Sequence, residues 1–246
     1  MLAFSSLLGN VEGQNIYRIW YDKPASYWEE ALPVGNGRIA AMVFGDPQLE
    51  QIQLNEETVS AGSPYQNYNE EAKTALPEMR RLIFEGKYEE AQNMATTKIL
   101  SQVGNEMPYQ TVGRLNIRYP DHKKVNNYYR DLDISNAVAV TRYKVDGVEF
   151  TEETFASFTD QLVIRHIKAS KPGAINCELF FNTPMRDPKR SIYGKKGLRL
   201  EGITHGSRYF PGKVHYCADL DVKNKGGEGT MANDTLLSVQ GASELT

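Results

Sequence analysis

Two cysteines, Cys177 and Cys217, are too few to staple a small disulfide scaffold, so the fold must rest on a packed core. Each lies in an apolar run, INCELF and HYCADL, which predicts two buried thiols; one bridge between them is the alternative. Excess positive charge is also missing. Lys plus Arg number 28 against 31 Asp plus Glu, a net charge of −3 with no long run of either sign, and this excludes a basic nucleic-acid footprint. No apolar stretch is long enough to span a bilayer as a helix. Residues 1–14, which include the apolar stretch MLAFSSLLG, lack a basic n-region. They read either as the remnant of a secretory signal or as a flexible N-terminus, and the first reading places the protein in the periplasm or outside the cell.

Several chemistries lack their signatures. The four histidines, His122, His166, His205 and His215, have no HExxH spacing and no partner cysteine pair, so zinc is not supported. There is no Walker loop and no GxSxG elbow, and Gly35-Asn36-Gly37 is only a bare GxG.

What the sequence does have is strand pattern. The 14 tyrosines favour sheet faces and also line sugar sites. Strands are predicted at Ile16–Tyr21, Ile39–Phe44 and Glu50–Asn55. A change to helical spacing follows around residues 69–100: Ala72, Leu76, Met79 and Ile83 recur, with Pro77 restarting the helix and Gly86 ending it, and a second helix runs from Lys87 to Leu100. Alternation returns at Leu115 and persists to Leu236–Val239, with Asp146-Gly147 as a strong hairpin signal. Many strands without alternating helices predict an all-β fold, a large antiparallel β-sandwich with a short helical insertion.

Cutting a glycosidic bond usually takes two carboxyl groups facing each other across the sugar. The adjacent pairs here, such as Glu56-Glu57 and Glu152-Glu153, place neighbours on opposite strand faces and read as solvated surface. Asn55 and Glu56 end an alternating run where a strand gives way to a loop; they meet a ligand there or cap the turn. Arg114, Arg186 and Arg208 are each able to grip a carboxylate, or serve structure alone.

Three motifs together, WEEALPVGNGR (Trp28 to Arg38), AMVFG (Ala41 to Gly45) and QLNEET (Gln53 to Thr58), resemble the N-terminal domain of family-95 glycoside hydrolases, the α-1,2-L-fucosidase family. The similarity extends from about Tyr17 through Gly62-Ser63-Pro64 and YQTVGRLNIRY to Val239-Gln240-Gly241-Ala242. Ser60 stands where that family commonly has tryptophan, Glu152 near an arginine position, and Arg114 near an acidic one. The resemblance implies a supersandwich-like N-terminal domain over residues 15–246, with its last edge strands missing. In the intact family a helical linker, a catalytic (α/α)6 barrel and a C-terminal β domain follow. The barrel holds the general acid and the asparagines that activate water for inversion, so no catalytic residue falls in this chain. The implied partners are that barrel and fucosylated glycans or related α-L-galactosides. Asn36, Asn55 and Glu56 become candidates for the rim of the substrate pocket. The alternative is a free-standing carbohydrate-binding or structural sandwich, for which Tyr65, Tyr68, Tyr128 and Tyr129 would form an exposed aromatic row.

Overall fold

The structure is a computed structural model and describes residues 17–62, 66–101, 107–207 and 210–246. The segment 1–14, Ile16, Ser63, Pro64, Tyr65 and Arg208, all named above, lie outside the described residues.

Seventeen strands run in chain order among those residues. The first four are β1 (Arg18–Tyr21), β2 (Leu32–Gly35), β3 (Ile39–Val43) and β4 (Leu49–Glu56). After them come two helices, α1 (Ala72–Phe84) and α2 (Tyr88–Met94), the second continuing as a wider turn over Ala95–Ile99. Then follow β5 (Gly113–Arg118), β6 (Val125–Asp133), β7 (Val138–Val145), β8 (Val148–Ser157), β9 (Leu162–Ala169) and β10 (Ile175–Asn182). The last seven are β11 (Arg186–Ile192), β12 (Gly197–Ile203), β13 (His215–Asp221), β14 (Asn224–Lys225), β15 (Glu228–Asn233), β16 (Leu236–Ala242) and β17 (Glu244–Leu245). The all-β sandwich with a helical insertion is therefore the fold that forms.

Two seven-stranded sheets face each other, in the orders β1-β6-β7-β8-β9-β17-β14 and β15-β16-β10-β5-β4-β3-β2, and a three-stranded sheet β11-β12-β13 leans on β10 and β16. Their pairings are antiparallel, so each strand can hide one face and wet the other. In β10 the alternation is complete: Ile175, Cys177, Leu179 and Phe181 are buried, their neighbours less so. Opposite them stand Tyr143 and Val145 of β7 and Phe150 of β8. Fully hiding a side chain such as Leu237 contributes about 1.5–3 kcal/mol. The β7–β8 turn has Asp146 at φ 48° and Gly147 at φ 79°, two left-handed residues in a row, the geometry that Asp-Gly supplies with least strain.

Three expectations need correction. Pro77 does not restart a helix; α1 runs through it from Ala72 to Phe84. Cys177 is buried but Cys217 is exposed, and both are free thiols. Tyr216 takes the inward place on β13, so the pleat turns its neighbour Cys217 outward. Glu152 is not surface at all, and its surroundings are described below.

Candidate functional site

Asn36 and Glu56 meet at one end of the second sheet. In the loop between β2 and β3, Asn36 Oδ1 accepts from the amides of Arg38 (3.1 Å) and Ile39 (3.0 Å), while Nδ2 donates to Ser157 O at 2.8 Å, at the end of β8 in the other sheet. Arg38 Nε donates to Glu56 Oε1 at 3.1 Å, and Thr58 donates to Glu56 Oε2 from its amide (2.8 Å) and its hydroxyl. Partial burial works to raise the Glu56 pKa, but these hydrogen bonds outweigh it and hold the carboxyl below its ordinary value. Glu56 is thus a turn cap in an ion pair. Asn55, one residue earlier, points to the opposite face of β4, and its Oδ1 is buried without a hydrogen-bond partner.

A second polar cluster lies inside the sandwich. Arg165 of β9 donates from Nη2 to Glu50 Oε2 of β4 at 2.8 Å and to Glu152 Oε2 of β8, and from Nη1 to Thr154 Oγ1 at 2.7 Å. Glu50 also accepts from the amides of Phe44 (3.1 Å) and Gly45 (2.9 Å). Glu152 accepts from the hydroxyls of Tyr119 (2.9 Å) and Tyr143 (2.6 Å). Burial lifts the pKa of both tyrosines well above the ordinary range, so they stay protonated donors. Sequence reading missed this cluster, yet a signal exists. Glu50 shares the parity of Ile52 in β4, and Glu152 that of Phe150 in β8, so both sit on core-facing registers. Two carboxylates that converge on one guanidinium, sealed from solvent, leave no room for a sugar between them. The cluster is structural.

On the outer face of the second sheet is a cleft of about 290 Å³ lined by Gln53, Gly113, Arg114, Asn182, Thr183 and Pro184. Gln53, Arg114 and Asn182 are register neighbours on β4, β5 and β10, so they form one row. Arg114 lies over the Phe44 ring, 5.6 Å from its centroid, and donates from Nη1 to Gln51 Oε1 at 3.0 Å. Arg186 instead bonds main-chain carbonyls, of Thr204 at 3.3 Å and Gly212 at 2.9 Å.

The aromatic row does not form among the described residues. Tyr128 is half-buried with its hydroxyl donating to Gly45 O at 2.7 Å, Tyr129 stacks on Trp20 at 6.3 Å, and Tyr68 lies apart in the segment before α1. Among the described residues no group of three or more His, Cys, Asp or Glu could hold a metal ion, and no helix is long and apolar enough to cross a membrane.

Residues 19–246 match the family model described as "Glycosyl hydrolase family 65, N-terminal domain". The chain is similar to "Alpha-L-fucosidase 2" of Arabidopsis thaliana, 37% identical over 181 residues that cover 71% of this chain and 21% of that protein. It is also similar to proteins named "Probable alpha-fucosidase A" in two fungi. That of Aspergillus niger is 26% identical, covering 62% of this chain and 20% of that protein. That of Aspergillus oryzae is 24% identical, covering 67% and 23%. The chain spans about a fifth of the length of these relatives.

Proposed function

Since this chain belongs to the family of glycosyl hydrolase family 65 N-terminal domains and is related to α-fucosidases, we propose that it is the non-catalytic sandwich of an α-L-fucosidase-type hydrolase. The finer assignment is to the family-95 type, in which a separate (α/α)6 barrel cleaves α-L-fucosides or α-L-galactosides with inversion. The observation that carries the non-catalytic role is the state of the carboxylates. Glu50 and Glu152 are spent on Arg165 inside the core, and Glu56 is held by Arg38 and Thr58. None is poised as an acid facing a base across a cleft.

The sandwich would dock on such a barrel through apolar side chains left in solvent, of which Ile83, Phe84 and Tyr88 cluster where α1 meets α2. Asn36 and Glu56 then act by fixing the loops that bound the substrate pocket, while Asn55 beside them turns its buried Oδ1 to the opposite face of β4. Fucosylated glycans are the substrates, no cofactor is needed, and the protein works in the periplasm or outside the cell.

The test compares this chain with a longer gene product that carries a barrel, at matched concentration, on 2′-fucosyllactose and a chromogenic α-L-fucoside. Turnover is expected only in the longer protein. Turnover by the chain alone would place the chemistry on its own carboxylates and end the proposal.

A further inference from the structure

The cleft at Arg114 has hydrogen-bonding capacity that the fold does not use. The side-chain amides of Gln53 and Asn182, on either side of Arg114 in one row across three strands, have no hydrogen-bond partner among the described residues. Arg114 carries five N–H donors, and the bond from Nη1 to Gln51 uses one. Its charge is unspent as well: among the described residues Arg114 forms no ion pair. Four residues along β5, on the same face, Arg118 is paired with Glu178 at 3.1 Å. At the sheet end Arg38 is paired with Glu56 at 3.1 Å.

The guanidinium is held ready. It lies over the Phe44 ring and is tethered by Gln51, so less rotamer entropy is lost when its fork engages a ligand. Gly113, part of the cleft lining, lets β5 approach the end of β10 closely. A Cβ at its φ of 138° would stand 2.6 Å from Asn182 O and 2.9 Å from Thr183 Cβ. Amides both donate and accept, which suits ring hydroxyls, and a planar guanidinium suits a carboxylate.

We propose that this cleft binds a carboxylate-bearing sugar, a hexuronate unit of an acidic glycan, with Arg114 gripping the carboxylate and Gln53 and Asn182 reading hydroxyls. The site stands apart from the fucosidase reading, and its test involves no hydrolysis, so either can fail alone.

Calorimetric titration of the whole chain uses four probes: D-galacturonate, D-galactose, N-acetyl-L-glutamate and inorganic phosphate. Galacturonate is expected to bind about tenfold or more tightly than each of the others, since the neutral sugar loses the charge-assisted bonds and the two other anions lose the ring hydroxyls. R114Q should weaken galacturonate about tenfold, and R114K should restore only part of it. Amide chemical-shift changes on adding galacturonate to the unaltered chain should centre on Gly113, Arg114 and Thr183, a readout that holds even if a variant folds poorly. Equal binding of galactose, N-acetyl-L-glutamate or phosphate, no effect of R114Q, or shifts centred elsewhere would each overturn the site.

Discussion

Arg165 on β9 and Glu50 on β4 join the two sheets through the interior, Nη2 to Oε2 at 2.8 Å, with almost no solvent at either group. Glu152 shares the same nitrogen, so one cation serves two anions and neutral donors satisfy the rest. Burying charge costs several kcal/mol per ion, and the cluster is tolerable only while each oxygen finds a donor.

Removing the cation should therefore be severe. Arg165→Met strands two buried carboxylates and is expected to lower stability by about 3–5 kcal/mol in urea unfolding. Glu50→Gln added to it should cost less than the sum of the two single losses, because the carboxylate it removes is already unpaired. Strict additivity of the two would mean that the pair is not coupled.

His122 sets a pH dependence. It is 4% exposed, stacks on Tyr119 with ring centroids 4.5 Å apart, and its Nδ1 lies 2.9 Å from Pro47 O, which only accepts, so Nδ1 carries the proton. Burial lowers its pKa below the ordinary value. Above about pH 6.5 the imidazole is neutral folded or unfolded. Below that the unfolded chain takes up a proton that the folded chain resists, so stability falls as the pH drops toward the folded value. The melting temperature of His122→Phe should fall less between pH 7.5 and pH 5 than that of the unaltered protein. Parallel curves would assign the acid sensitivity to other groups.

Asn36 and Asn55 should behave in opposite ways although both belong to the candidate rim. Asn36→Ala removes bonds to two loop amides and to Ser157 of the facing sheet, an expected loss of about 1–3 kcal/mol. Asn55→Ala deletes an oxygen that is buried without a partner, and should be neutral or slightly stabilising in the same denaturant assay. A large loss at Asn55 would mean that its oxygen has a partner in solution.

The strands and the helical insertion were legible because period and turn residues are local properties, as Asp146-Gly147 and the run Ile175 to Phe181 illustrate. β2 was missed because Pro33 argues against a strand, and the structure reconciles the two by placing β2 at a sheet edge. Asn36 and Glu56 stood out through their motif and do meet through Arg38, but no local pattern reports that Asn36 reaches Ser157, 121 residues away. In the Arg165 cluster the strand parity of Glu50 and Glu152 signals two inward carboxylates, but their pairing was illegible for the same reason: Glu50, Glu152 and Arg165 come from distant segments, and charge in a sequence reads as surface until its partner is known.

The two cysteines offer a check on which way β13 faces. Cys177 is enclosed in β10, and burial pushes its thiol up to about 12, so almost no thiolate is present near neutrality. Cys217 is also raised, by burial first and then by Asp219, whose Oδ1 accepts from its Sγ at 3.5 Å, but it is open to solvent. A disulfide reagent at pH 8 should therefore modify one thiol per native chain, slowly for an exposed cysteine, and a second only on unfolding. Peptide mapping should find the label on Cys217. Rapid labelling of both would mean that β10 does not seal the core, and labelling of neither would mean that β13 turns its Cys217 face inward.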